Sequence, residues 1–134
     1  MSTKKRILFI AQEMSPYLDL TEYANMVNKM AIKSNEAGLE VRVIMPRFGS
    51  INERRHRLHE VVRLSGINIV IDGDDYPLII KVASLPNARL QVYFLDNEDY
   101  FKRKGVFADD DGTFYDDNAA RMVFLCKGAL ETVK

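Results

Sequence analysis

The sequence predicts an α/β domain in which a parallel sheet is packed by helices and interrupted by a β-hairpin excursion. Three observations predict it. Residues 6–11 are a short apolar run without polar alternation, the pattern of a strand covered on both faces in a parallel sheet, and residues 39–45, closed by Pro46, read as a second strand. The stretch between them has helical spacing, with connections short enough for a right-handed crossover. A third apolar run at 90–95 supplies another strand.

Taken in order, Arg6 to Ala11 forms the first strand, and Ser15-Pro16 breaks the chain because proline disfavours helix in the residue before it. From Glu22 to Ala37, the positions Tyr23, Met26, Val27, Met30, Ala31, Ser34 and Ala37 line one helical face, and Gly38 falls where a left-handed cap belongs. Leu39 to Met45, closed by Pro46, is the second strand. Leu58 to Val62, Ile67 to Ile71 and Leu78 to Ala83 are short β runs, and Asp72-Gly73 between the last two marks a hairpin. Leu85-Pro86-Asn87-Ala88 is a further turn before the strand Leu90 to Leu95. Glu98 to Lys102 is a short helix that Gly105 ends, and Asp109 to Asp117 is an acidic loop.

Asn118 to Val133 carries Ala119, Met122, Val123, Cys126, Ala129, Leu130 and Val133 at spacings of three and four, which gives a second amphipathic helix. Asp116 or Asp117 caps it, with the carboxylate set against the positive end of the helix dipole. No strand follows before Lys134, so the single domain over residues 1–134 reads as incomplete, a Rossmann-like first half. Its open sheet edge and apolar helix face call for a partner, another copy or missing C-terminal residues to cover them.

Composition narrows the function. At 134 residues and 47% hydrophobic, the chain can bury about two thirds of its unfolded surface in a single core. Nineteen basic and nineteen acidic residues cancel, so no global field draws the protein onto nucleic acid or an anionic membrane. Lys4-Lys5-Arg6 precedes an apolar run, but Ile7 to Ala11 is too short for a signal peptide. No run approaches the roughly 20 apolar residues of a membrane helix. Cys126, the only cysteine, has no bridging partner and no neighbouring histidine, which suits a reducing cytoplasm and a buried, inert thiol.

Three motifs mimic functional sites. Asp109-Asp110-Asp111-Gly112 resembles a calcium loop, but that register puts Phe107 at the first ligand position and Asn118 where a bidentate glutamate belongs. His56 and His59 could share a helix face, yet they lack a catalytic glutamate or third ligand and sit in the basic run Arg54-Arg55-His56-Arg57, a solvated segment. Serine, histidine and aspartate all occur without a nucleophile-elbow sequence. Metal and hydrolase chemistry are therefore not assigned.

Ordered segments carry a resemblance. Gln12-Glu13-Met14-Ser15-Pro16, Asp19-Leu20-Thr21-Glu22-Tyr23 and Ala24-Asn25-Met26-Val27 occupy the frame of a Ser-Glu-x-x-Pro turn, a Lys-Thr-Gly-Gly-Leu turn and a helix beginning Ala-Asp-Val-Val. The match continues through Gly38 to Ile51, Val92 to Asn97, Tyr100 to Gly105 and Tyr115 to Arg121. In this order the segments resemble the N-terminal region of bacterial starch and glycogen synthases, retaining glucosyltransferases of the GT-B fold that use ADP-glucose. The resemblance implies glucose transfer to the non-reducing end of an α-1,4-glucan, with no cofactor beyond the donor. It also implies that the nucleotide is held largely by a second domain, so this chain alone is not expected to transfer glucose.

The departure from the family falls on its chemistry. Two glycines and a lysine at a strand-to-helix turn suit a pyrophosphate, whereas here Asp19 takes the lysine's place and Thr21 and Glu22 the glycines'. Asp19-x-x-Glu22 also reads as a capping arrangement that repels phosphate. Glu13 matches the family's glutamate at the sugar cleft, or else is a turn carboxylate accepting backbone hydrogen bonds. Phe107 stands where the family places a tyrosine. Asp117, Asn118 and Arg121 match a motif joining loop to helix. The candidate substrate-facing residues are thus Glu13, Asp19, Thr21, Asp117 and Asn118, with no catalytic residue assigned. The alternative is a degenerate, non-catalytic relative that binds glucan or a partner subunit.

Overall fold

The computed structural model describes residues 5–86 and 88–133, so Lys4 of the basic N-terminal run and Asn87 of the expected turn lie outside the described residues. The chain forms β1 (Arg6–Ile10), α1 (Glu22–Glu36), β2 (Glu40–Pro46), α2 (Glu53–His56), β3 (His59–Glu60), β4 (Ile67–Ile71), β5 (Asp74–Ser84), β6 (Gln91–Asp96), α3 (Glu98–Phe101) and α4 (Asn118–Thr132). The expected strand at 58–62 shrinks to β3, followed by a single 3₁₀ turn over Val62–Leu64.

The main sheet has the order β1-β2-β6-β5-β3, with β4 paired to β5. β1, β2 and β6 run parallel, with Ile7 opposite Val41 and Ile44 opposite Tyr93. The hairpin is not the excursion expected from the sequence, because β5 joins the sheet antiparallel to β6 and pairs Ile80 with Leu95. Its turn is the Asp72-Gly73 pair, both at positive φ (51° and 82°), as a two-residue hairpin loop requires. Gly38, at φ 93°, follows the C-cap of α1 as anticipated. The Ser15-Pro16 peptide is cis.

Side chains alternate across a strand, so neighbouring residues of β6 report on opposite faces of the sheet. Tyr17 packs edge-on against Phe94, with ring centroids 4.9 Å apart, while Gly128 of α4 lies against Leu95 and Leu78. The turn before α1 therefore covers one face and α4 the other. Phe48, Phe94, Phe101 and Phe124 are fully buried within this core.

Both long helices bury a face that only partly overlaps the one the sequence predicts: Ala31 and Ala129 are buried as expected, and Val27 and Met122 pack against the core. In α1, Ala24 and Ala31 are buried while Tyr23, Met26 and Met30 are exposed. In α4, the buried set is Arg121, Phe124, Leu125, Gly128 and Ala129, while Val123, Leu130 and Val133 face outward. Ala24, Ala31, Gly128 and Ala129 let the helices approach the sheet closely, while Phe124 and Leu125 of α4 fill the core beside them. Cys126 lies on that outward face and is exposed, which overturns the expected buried thiol. β1 is likewise covered on one face only, for Leu8 and Ile10 are 37% and 51% exposed.

Candidate functional site

The three parallel strands end on the same side, at Ile10, Pro46 and Asp96, and ligands of open α/β sheets bind beyond such carboxyl ends. The loops rising from them form the candidate site. After β1 the chain turns through residues 11–21 into α1, and Glu13 organises that turn. Its Oε2 accepts the backbone N–H of Leu20 at 2.7 Å and of Thr21 at 3.0 Å, and its Oε1 accepts the Thr21 hydroxyl. Partial burial raises the Glu13 pKa, but these hydrogen bonds outweigh it and hold the carboxyl below the usual glutamate range.

Of the two readings of Glu13, its contacts are those of the turn carboxylate. The capping arrangement expected of Asp19 and Glu22 is absent. Thr21 is the N-cap, its Oγ1 accepting the N–H of Tyr23 at 3.2 Å, and Asp19 instead accepts the Ser15 hydroxyl at 2.8 Å. The backbone donors at this turn, where the family's phosphate motif aligns, are thus taken by a carboxylate of the same chain.

The loops after β2 and β6 build the rest of the rim. Asp96, 3% exposed, receives Arg47 through Nη2 at 3.4 Å, with Arg47 Nε 3.2 Å away, and Lys81 Nζ at 3.0 Å. Glu53 of α2 closes the network, 2.7 Å from Lys81 and 3.6 Å from Arg47. Burial lowers the Lys81 pKa, but the two carboxylates more than restore it and leave it raised. Asn97 caps α3 by accepting the N–H groups of Asp99 and Tyr100, and its amide donates to the Pro77 carbonyl.

Asp117 occupies the N-cap position of α4 yet makes no side-chain bond to the helix, contrary to the capping role expected of it. Its carboxylate instead takes both terminal nitrogens of Arg103, each at 2.6 Å. Arg103 holds the Asp117 pKa below the ordinary aspartate value. Asn118 donates to the Phe107 carbonyl at 2.8 Å and accepts from Arg121 at 2.7 Å. Arg121 is fully buried, donating to the carbonyls of Tyr100 and Val106 at 2.8 and 2.7 Å, between the rings of Phe48, Phe101 and Tyr115. Phe107 packs on Phe48, so it serves the core where the family has a tyrosine.

The structure thus gathers Glu13, Asp19 and Thr21 in one turn and Asp117 and Asn118 in a separate junction. Sequence reading missed the network of Arg47, Glu53, Lys81 and Asp96, whose members lie far apart in the chain. Arg121, matched from the sequence to a motif joining loop to helix, makes such a junction through its bonds to Tyr100, Val106 and Asn118. Asp109 accepts the N–H groups of Asp111 and Thr113, so the acidic loop folds on itself. His56 ends α2 and His59 lies in β3, so they share no helix face, and no metal-holding cluster occurs among the described residues.

Chemically, this rim offers carboxylate and carbonyl acceptors suited to sugar hydroxyls. Its cations Arg47, Lys81, Arg103 and Arg121 are already joined to carboxylate or carbonyl oxygens. The fold is that of part of a GT-B glycosyltransferase catalytic domain. A family model for the starch synthase catalytic domain matches residues 6–134, and the chain belongs to that family.

Its relatives include the glycogen synthase of Chlorobium limicola, 37% identical over 130 residues, which cover 96% of this chain and 27% of that protein. The glycogen synthase of Chlorobaculum tepidum is 38% identical over 129 residues, 96% of this chain and 26% of the relative. The chain spans about a quarter of the length of these relatives. Among solved structures, the catalytic domain of starch synthase IV from Arabidopsis thaliana, bound to ADP and acarbose, superposes with a TM-score of 0.79. That match has 20% identity and covers 98% of this chain and 25% of that one, a likeness of fold.

Proposed function

We propose that the chain forms the N-terminal wall of a glucan and nucleotide-sugar cleft of glycogen synthase type, and that by itself it does not transfer glucose. The reaction such a cleft serves moves glucose from ADP-glucose to the end of an α-1,4-glucan. The observation that carries the reading is the Glu13 carboxylate on the amides of Leu20 and Thr21, flanked by Asp19 and Glu22. A phosphate approaching this helix terminus meets negative charge on donors already in use. Glucan hydroxyls, being neutral, do not suffer that repulsion.

The reading sets the protein in the cytoplasm, which a lone Cys126 suits, with neither nucleic acid nor membrane as partner. No helix among the described residues is long and apolar enough to cross a membrane. The exposed Leu8, Ile10, Met26 and Met30 fit coverage by another copy or by the remaining length found in the relatives. Calorimetric titration of ADP-glucose and, separately, of a linear maltooligosaccharide tests the proposal. The expected result is no saturable heat with ADP-glucose. Micromolar ADP-glucose binding abolished by Glu13→Ala would show that the turn still serves the donor.

A further inference from the structure

Below the turn that follows β1, a cavity of about 700 Å³ opens beside the amino end of β6, lined by Tyr17, Arg55, His56, Arg57, His59 and Ser84 among others. It lies at the opposite end of β6 from Asp96 and Asn97, because Ser84 pairs with Gln91 at the start of that strand. Four of its lining residues are arginine or histidine and none is acidic. The nearest carboxylate along α2, that of Glu53, is committed to Lys81 and Arg47.

The basic wall is held in place by the fold. The His56 ring packs edge-on against Tyr17 at 4.9 Å, and Tyr17, only 6% exposed, leans on Phe94 and on the Ser84 carbonyl. His59 is fixed opposite Val82 in the β3–β5 ladder. Arg57 caps α2 in the left-handed region, at φ 57°, where glycine or asparagine is the usual choice. An arginine is thus kept where the backbone favours other residues, and its side chain lines the cavity. Burial and the neighbouring Arg55 lower the His56 pKa, which leaves the two guanidiniums as fixed charges and His56 as a neutral hydrogen-bonding ring.

We propose that this cavity is a binding site for a phosphate-bearing small molecule, with the phosphate on Arg55 and Arg57 and a hydroxylated remainder against His56, His59, Ser84 and Gln91. A guanidinium matches phosphate geometry, two arginines line this cavity, and its volume exceeds what a bare ion fills. The inference does not rest on the proposed function, since Glu13, Asp19, Leu20 and Thr21 do not line the cavity, although Tyr17 of the same turn does.

The test titrates the 134-residue chain with inorganic phosphate, glucose 1-phosphate and glucose, following amide chemical shifts by NMR. Saturable shifts at Ser84 and Gln91 with a phosphate ligand, weakened at least tenfold in Arg55→Ala/Arg57→Ala and by added salt, are expected. Stronger binding of glucose 1-phosphate than of inorganic phosphate would identify the sugar-bearing source. Equal binding would identify phosphate alone as the recognised group. Arg57→Gly removes charge while easing the backbone, so its loss of binding with an unchanged melting temperature separates recognition from folding. No saturable binding of either phosphate would overturn the proposal. So would undiminished binding in the double variant, glucose binding as well as its phosphate, or shifts confined to Leu20 and Thr21.

Discussion

Replacing Arg121 by methionine keeps most of the side-chain volume but removes every donor from a fully buried position. The carbonyls of Tyr100 and Val106 and the Asn118 amide oxygen then lose partners now 2.7 to 2.8 Å away. Each orphaned buried acceptor costs about 1–3 kcal/mol. Opposing this, the substitution removes a buried cation whose Nη2 has no hydrogen-bond partner and whose pKa burial holds below the arginine norm. The net is a loss of about 2–4 kcal/mol, a large share of the roughly 5–15 kcal/mol that stabilises a domain. With a urea slope of about 2 kcal/mol/M, the unfolding midpoint falls by about 1–2 M. Arg121→Ala adds a cavity among Phe48, Phe101 and Tyr115 and falls further. The assay is equilibrium urea unfolding followed by far-UV circular dichroism. If Arg121→Met unfolds at or above the wild-type midpoint, the guanidinium is not what ties the 100–107 loop to α4.

The carboxyls of Glu13 and Asp117 are both held below their ordinary values when folded. Their contribution is complete above the unfolded pKa values of about 4 and lost as pH falls through the lowered folded ones, so acid unfolding of Glu13→Gln and Asp117→Asn should be less steep than wild type. Matching profiles for wild type and variants would contradict this. Gly49→Ala and Gly105→Ala each place a Cβ on a backbone carbonyl, of Arg103 and Ala108 respectively, and should cost more than about 2 kcal/mol in thermal unfolding. Cys126 should react with a thiol-specific disulfide reagent in the folded protein nearly as fast as in urea; strong protection would mean that the outer face of α4 is covered.

The parallel strands were legible because strands under helices read as unbroken apolar runs, and the hairpin because Asp72-Gly73 has a backbone requirement of its own. The helix faces were not. Counting large apolar residues selects Met26, Met30, Val123 and Leu130, whereas close approach to the sheet selects Ala24, Ala31 and Gly128, which such counting scarcely weighs. At the site, Glu13 was correctly singled out and both of its possible roles were stated. The hydrogen bonds that decide between them span seven and eight residues through a proline turn, beyond any local capping pattern. Asp117 was read as a cap from its position alone, and a pair with Arg103 fourteen residues earlier is invisible to that rule.

β1 has a history to be read in its flanks. It lies at the end of the sheet order with Leu8 and Ile10 bare, so on its own the chain offers a β-branched, aromatic template to the same strand of any molecule it meets. Lys5 and Arg6 stand at the mouth of that template as gatekeepers, and Arg6 is tied to Glu40 by an exposed pair that high salt weakens. Salt that screens charge therefore weakens this pair and is expected to favour strand-to-strand association at that edge.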